Sequence, residues 1–215
     1  MSEISNSFII QSKFDKMISL KGTKGHYATS SSHINCYIDM THLKCKRREA
    51  KAVANALVQE YSHSTIVDAI ICLDGTEVIG AYMADGLAEA GIHSVNSNNV
   101  IYIITPEQTT VGQLFFRENF VPMIQNKNCL VLLATATTGK TINTALDCIE
   151  YYGGHIAGIS AIFSAAKEVH DMKINAIFST DDIPGYATYP AGGCPMCQAK
   201  QPLDAIVNSH GISKL

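Results

Sequence analysis

The segment VLLATATTGKT at 131–141 has the residue types and the spacing of a turn that binds phosphate on its backbone. Its apolar first half predicts a strand, and the residues after it predict a helix. Free N–H groups at a helix start bind anions, and Gly139 permits the tight path that such a turn needs. An ordinary helix start with a Thr cap is the alternative. The candidate phosphate ligands are Thr137, Thr138, Gly139, Lys140 and Thr141.

A nucleoside-triphosphate P-loop is a second interpretation of the same turn. The stretch from Ala134 to Thr141 matches three of the four defining positions of that motif, with Ala134 in place of the first glycine. That glycine lets the loop curl around the β-phosphate, so the substitution argues against the motif. Only about 75 residues follow Thr141, which is short for the core of a nucleoside triphosphatase. Asp181 and Asp182 resemble the Walker-B carboxylate of such enzymes only weakly.

The pair Cys194 and Cys197 has the spacing of half a zinc site or of a redox pair. No second CxxC exists in the chain, so His170 and His210 are the completions considered, and two reduced thiols are the alternative. The odd total of seven cysteines favours reduced thiols and a cytoplasmic location. No signal peptide or membrane-spanning apolar run is expected.

The overall composition indicates a globular chain whose ligand is held by local groups. It has 215 residues, 47% of them hydrophobic and 16% charged. The net charge of -3 provides no electrostatic attraction for nucleic acid or an anionic membrane.

The hydrophobic pattern predicts strands that alternate with helices, and hence a parallel sheet covered on both faces. We expect strands at 66–73, 99–105, 128–134, 155–165 and 174–180, and a short one near 36–40. Helices are expected at 6–20, 46–60, 78–91 and from the turn to about residue 152, with an irregular tail from Pro184. Ligands of such sheets bind at the carboxyl ends of strands, which selects the turns at 74–77 and 135–141.

Four segments in order resemble type I phosphoribosyltransferases, and among them the orotate phosphoribosyltransferases. They are KGHYATSSSHINCYID (24–39), IVDAIICLDGTEVIGAYMADGL (66–87), NCLVLLATATTGKTINTALDCIEYYGGHIAGISAIFS (128–164) and CPMCQAKQPLD (194–204). The resemblance implies an α/β fold with a central parallel sheet, flanked by helices and topped by a small hood. It divides the single domain into a hood and helix (1–64), a core (65–183) and a tail (184–215).

The resemblance also assigns roles, and the sequence departs from several of them. The turn at 137–141 would bind the 5′-phosphate of phosphoribosyl diphosphate (PRPP), but the acidic pair that grips its ribose is replaced by Leu133 and Ala134. The diphosphate turn corresponds to Asp74, Gly75, Thr76 and Glu77, whose two carboxylates repel diphosphate or serve as metal ligands. The closing loop at 105–120 has one basic residue, Arg117.

The remaining implied features are a base pocket, a partner subunit and a metal. Ser30, Ser31 and Ser32, between His26 and His33, are the base-pocket candidates, or else a polar surface loop. A homodimer would borrow a basic residue across its interface, and the basic run supplies Lys44, Lys46, Arg47 and Arg48. If active, the protein would use Mg²⁺ to transfer phosphoribosyl from PRPP to a pyrimidine-type base. The alternative is a non-catalytic, regulatory protein on the same fold that binds a nucleotide or phosphate.

Overall fold

The computed structural model describes residues 6–89, 94–97, 99–137 and 139–215. Its core is a six-stranded sheet in which five strands run parallel and a two-residue edge strand runs antiparallel. In spatial order the strands are β10 (Glu168–Val169), β11 (Met172–Ser179), β9 (His155–Ser164), β8 (Asn128–Ala136), β4 (Ala69–Cys72) and β5 (Tyr102–Ile104).

A second six-stranded sheet, the hood, combines both ends of the chain. Its path runs through β12 (Thr188–Pro190), β3 (Ser32–Asp39), β2 (Ser19–Ala28), β13 (Ala205–Asn208) and β14 (Gly211–Lys214), and β1 (Ser7–Gln11) pairs with β2. A small hairpin, β6 (Glu107–Gln108) with β7 (Leu114–Phe115), stands apart from both sheets. The hood therefore depends on residues from the last fifth of the chain.

In the described residues, five α-helices and three short 3-10 helices connect the strands. The α-helices are α1 (Thr41–Cys45), α2 (Arg47–Val58), α3 (Glu77–Glu89), α4 (Lys140–Tyr151) and α5 (Pro195–Gln198). The 3-10 helices are Glu118–Met123, Thr180–Asp182 and Ala191–Gly193. Helices α2 and α3 pack on one face of the core sheet and α4 on the other, each through its buried apolar side chains. None of the helices in the described ranges is long and apolar enough to cross a membrane.

The predicted core strands and the helices at 46–60 and 78–91 are confirmed within a few residues, as far as the described residues reach. These strands are mostly apolar, as expected for a sheet that is covered on both faces. Burial in this core raises the pKa of the Cys72 thiol to about 12 and that of Cys148 to about 11. Both thiols therefore stay protonated and serve as packing groups.

The predicted helix at 6–20 is wrong, because this segment forms β1, a turn and the start of β2. The two strands pair antiparallel, from Ser7 opposite Thr23 to Gln11 opposite Ser19. Exposure alternates along β1, so Phe8 and Ile10 pack on the core while Ile9 stays 67% exposed. The spacing of apolar residues in this segment fits both the helical period and the two-residue period of a strand. Pairing with a distant strand decides in favour of the strand.

The tail predicted to be irregular from Pro184 is instead folded onto the hood. Its strand β12 pairs with β3, and β13 pairs with β2 through Ala205 opposite Tyr27. Both strands are only three or four residues long, so their own periodicity is too short to reveal them.

Candidate functional site

The turn between β8 and α4 has the backbone geometry of an anion-binding helix start. Gly139 is the N-cap residue, with φ at +73°, a conformation that glycine adopts without strain. No side chain caps the helix, and the first backbone bond inside it runs from the Asn143 N–H to the Gly139 carbonyl. Within the described ranges, the N–H groups of residues 140–142 have no protein acceptor. These three donors carry the positive end of the helix dipole.

A small pocket lies against these donors. Its lining joins the end of β8, the turn and the first turn of α4, namely Leu133, Thr135, Ala136, Thr137, Gly139, Thr141 and Ile142. Lys140 and Thr141 are exposed at the rim, and Thr137 is partly exposed. Three of the five predicted phosphate ligands, Thr137, Gly139 and Thr141, thus line this pocket. Lys140 is exposed and is not part of its lining, and Thr138 lies outside the described residues.

Positions 133 and 134, where the family resemblance implies acidic residues, hold buried apolar side chains. Leu133 is fully buried between the sheet and α4, and Ala134 is buried on the opposite face of the sheet, toward α2 and α3. Strand β8 continues past both of them to Ala136. Neither of these two side chains carries a polar group that could bind the ribose hydroxyls of a sugar phosphate.

Asp74 brings a carboxylate to the end of β8 instead. It follows β4 in a left-handed conformation with φ at 58°, as does Gly75 at 74°. Burial raises the pKa of the Asp74 carboxyl above its ordinary value of 3.8. Lys44 and the backbone N–H groups of Thr135 and Ala134 act in the opposite direction without cancelling that effect. A carboxyl group with a raised pKa therefore lies beside the strand that leads to the turn at 137–141.

The other polar side chains of the acidic turn, residues 74–77, form hydrogen bonds within the protein. The buried Thr76 hydroxyl donates to the Leu73 carbonyl over 2.8 Å and lies 3.2 Å from the Leu132 carbonyl, so it closes the turn. Glu77 accepts a hydrogen bond of 2.9 Å from the Thr105 hydroxyl. Within the described ranges, neither Asp74 nor Glu77 belongs to a group of side chains that converges on a metal position.

Lys44 ties the acidic turn to the C-terminal hairpin of the hood. Its ammonium group donates to the Asp74 carbonyl and to the Ser209 carbonyl, each over 2.7 Å. Of the predicted basic run, Lys46 pairs with Glu49, while Arg47 and Arg48 line a separate surface groove beside Lys51. The proposed use of this run by a partner subunit stays a prediction.

Replacing Asp74 by Asn is expected to stabilise the protein at neutral pH. The wild-type carboxyl has a raised pKa in the folded state, so its contribution to stability falls as pH rises from about 3.8 through that pKa. Asn tolerates the same backbone conformation and carries no charge. The gain should be largest at pH 7 and should vanish at acid pH, where the wild-type acid is protonated.

Urea denaturation of the Asp74→Asn variant and the wild type between pH 3 and pH 8 measures this difference. The control is Asp85→Asn, which removes an exposed carboxylate from α3. Equal pH profiles for the two variants would contradict the assigned burial of Asp74.

The single basic residue of the 105–120 segment is already paired. Arg117 donates two hydrogen bonds of 2.7 Å to the carboxylate of Glu107, across the β6–β7 hairpin, and packs against Phe115. This pairing lowers the pKa of Glu107. No free cation of this hairpin remains to neutralise a departing diphosphate.

The predicted base-pocket serines form the turn between β2 and β3. Ser30 and Ser31 are exposed at its tip, whereas the buried Ser32 hydroxyl lies 2.8 Å from that of Thr29. Asp182, considered above as a P-loop carboxylate, caps a 3-10 helix by accepting from the Ser179 N–H. Ser30 and Ser31 thus keep hydroxyls available for a ligand, and Asp182 is occupied within the fold.

The predicted pair Cys194 and Cys197 meets two histidines that sequence reasoning did not select for it. The ligand atoms of His26, His33 and both cysteines lie within 4.8 Å of one another. His170 lies in the turn before β11 and His210 in the turn between β13 and β14, so the completions considered from the sequence are wrong. The signal in the sequence was only that His26 and His33 flank a short polar turn.

The donor set of the pocket does not fit a Mg²⁺–diphosphate complex. Magnesium is bound through carboxylates, water and substrate phosphates. Here the strand end is apolar at Leu133 and Ala134, Glu77 is engaged by Thr105, and Asp74 is a carboxylate with a raised pKa. We therefore derive no step through that ion.

Comparison with solved structures identifies the architecture. The chain is similar to adenine phosphoribosyltransferase from Leishmania donovani (TM-score 0.51, 16% identity, 83% of this chain and 89% of that one). It is also similar to adenine phosphoribosyltransferase from Thermoanaerobacter pseudethanolicus, with a TM-score of 0.51 and 14% identity over 81% of this chain and 95% of that one. A third similar structure is Leishmania donovani UMP synthase, with a TM-score of 0.50 and 14% identity over 70% of this chain and 31% of that one. No family model and no curated protein matches the sequence. The fold is that of the type I phosphoribosyltransferases.

Proposed function

We propose that this protein binds the 5′-phosphate of a nucleotide, of pyrimidine type, at the start of α4 and does not transfer phosphoribosyl groups at the rate of an enzyme. The uncapped helix start with Gly139 at φ +73° carries the proposal. Three N–H donors, the helix dipole and the hydroxyls of Thr137 and Thr141 make a site for a dianionic phosphate.

The same site lacks what phosphoribosyl transfer requires. The reaction needs an oxocarbenium-like ribose held in place and a diphosphate leaving group neutralised by cations. The ribose positions are Leu133 and Ala134, both buried, and Arg117 is paired with Glu107. Asp74 adds a repulsion of about 1 kcal/mol against a diphosphate, which corresponds to about fivefold in affinity.

The fold and the turn between β2 and β3 support the proposed ligand class. A 5′-phosphate at α4 directs the sugar and base of a nucleotide away from the helix start, and the hydroxyls of Ser30 and Ser31 are free to bind the edge of a base. The UMP synthase neighbour shares the fold over 70% of this chain. Phosphoribosyl transfer from PRPP to a pyrimidine-type base is the second candidate, and that neighbour is the observation that favours it.

One experiment separates the two functions. Calorimetric titration with uridine monophosphate, orotidine monophosphate, PRPP and inorganic phosphate measures binding, and orotate consumption with PRPP and Mg²⁺ measures turnover. We expect a nucleotide to bind and turnover to be absent. Turnover at an ordinary enzyme's rate, with a kcat of about 1 per second or more, would establish the second candidate instead. Binding of none of these ligands would contradict both.

A further inference from the structure

Four metal-ligand side chains converge where β2, β3 and α5 meet. His26 Nε2 lies 3.0 Å from His33 Nδ1 and 3.5 Å from Cys194 Sγ. Cys197 Sγ lies 3.6 Å from His26 Nε2 and 3.3 Å from His33 Nδ1. All four atoms lie within 4.8 Å of one another, so they enclose a common point.

These separations match those around a tetrahedral zinc ion. Zinc binds nitrogen at about 2.0–2.1 Å and sulfur at about 2.3 Å. In a tetrahedron, such bonds place two nitrogens about 3.3 Å apart and a nitrogen and a sulfur about 3.6 Å apart. The observed nitrogen–sulfur distances of 3.3 to 3.6 Å and the nitrogen–nitrogen distance of 3.0 Å agree to within a few tenths of an ångström.

The ring of His26 is already oriented as a metal ligand. Its Nδ1 lies 3.0 Å from the Gln201 carbonyl, which can only accept, so Nδ1 carries the proton and Nε2 keeps a lone pair. This lone pair faces three neighbours at once, His33 and the two thiols, although it can accept only one hydrogen bond well. The side chain is fully buried, so water does not resolve the conflict. A cation at the centre does, and the Gln201 carbonyl then acts as its outer-shell support.

We propose that His26 Nε2, His33 Nδ1 and the thiolates of Cys194 and Cys197 bind one Zn²⁺ ion. Two nitrogens and two sulfurs in a tetrahedron select zinc over the hard cations Mg²⁺ and Ca²⁺, which take oxygen ligands. Four protein ligands leave no open position for water or substrate, so the ion is structural. This proposal is independent of the nucleotide site.

The ion fastens the C-terminal segment to the hood. Cys194 and Cys197 begin the segment that returns to the sheet as β13, and the carboxylate of Asp204 accepts the His26 N–H over 2.7 Å. The chain between the two ligand pairs is more than half of the protein, so a cross-link here removes much of the unfolded chain's freedom. Since His26 and His33 flank the turn that carries Ser30 and Ser31, the ion also braces that turn.

Metal analysis of the purified full chain tests the site. We expect about one zinc ion per chain in the wild type and in Cys45→Ser, which removes an exposed thiol that is not part of the cluster. Cys197→Ser removes an exposed thiol that is part of it, and after dialysis against a mild chelator should retain at least about tenfold less zinc. Equal zinc in the two variants would overturn the assignment.

Cobalt substitution keeps the test independent of whether a variant folds. Wild-type apoprotein reconstituted with Co²⁺ should show intense visible bands of a tetrahedral site and thiolate-to-cobalt charge transfer in the near ultraviolet. We also expect the zinc form to melt at least about 5 °C above the apo form. A wild-type protein with reduced thiols that binds neither metal would overturn the proposal. So would a Cys194–Cys197 disulfide in freshly purified protein, because its sulfurs are not thiolate ligands.

Discussion

Replacing Leu133 by Asp is expected to lower the free energy of unfolding by about 4 kcal/mol or more. Leu133 is 0% exposed and packs with the apolar face of α4, including Ile142, and it lies opposite Ala161 in the sheet. The substitution removes the burial of a full leucine side chain, worth about 2 kcal/mol, and adds an unpaired carboxylate in its place. A domain of this size has a total stability of about 5–15 kcal/mol, so the variant should be close to unfolding at neutral pH.

Denaturant titration at neutral and acid pH measures this loss of stability. The control is Leu133→Asn, because asparagine has nearly the same shape as aspartate but carries no charge. The Asn variant loses the apolar burial but introduces no charge, so it should be the more stable of the two at pH 7. The difference should narrow as pH falls, because protonation removes the charge of the aspartate. If the aspartate variant matched the asparagine variant at pH 7, position 133 would be open to solvent or ligand.

The Leu133→Asp variant also tests the proposal that the protein does not catalyse phosphoribosyl transfer. An acidic residue at this position would restore one half of the ribose-binding pair that the family resemblance implies. The side chain lies inside the core, however, so we expect no gain of PRPP-dependent orotate consumption. A gain of turnover in this variant would show that the strand end can open toward the pocket, and would favour the enzymatic function over the proposed one.

Replacing Gly139 by Val is expected to weaken binding of uridine monophosphate and inorganic phosphate about 100-fold or more. Gly139 has φ at +73°, where a β-branched side chain costs about 1–2 kcal/mol or more, and its new Cβ would stand 3.4 Å from Val169 Cγ2. The turn must move to relieve this strain, and the N–H donors of residues 140–142 move with it. Loss of two charge-assisted hydrogen bonds, each worth about 1.5–3 kcal/mol, accounts for the expected change.

The opposite end of the same helix provides the matched control. Gly153 follows α4 with φ at +76°, and a Cβ there would lie 3.5 Å from Gln125 Cγ, so Gly153→Val introduces a similar backbone strain away from the pocket. Calorimetry should find near wild-type phosphate affinity in Gly153→Val and a large loss in Gly139→Val. Similar losses in both variants would assign the effect to helix strain. No loss in either would place the phosphate site elsewhere.

The core sheet could be predicted from the sequence because its central strands are mostly buried. Runs such as 128–134 and 155–165 are largely apolar, as expected for a sheet that is covered on both faces. The turn at 137–141 was equally local, since a glycine between an apolar strand and a helix start permits a tight path, and Gly139 has a left-handed conformation. The segment at 6–20 failed because its periodicity was ambiguous, and the pairing of Ser7 with Thr23 lies outside any local window.

The sequence alone was enough to predict the alternation of strand and helix, the order of these elements along the chain and the position of the turn at 137–141. All of these depend on neighbours within about ten residues. The side chains that meet around Asp74 and around the CxxC pair could be seen only in the folded chain. Folding places the partly buried Asp74 near Ala134 and Thr135, and it brings His26 and His33 against Cys194 and Cys197. The pairing of β4 with β8 in the core sheet sets the first of these contacts. Strand pairing in the hood sets the second across more than 150 residues, and the sequence spacing of a CxxC pair holds no information about its distant partners.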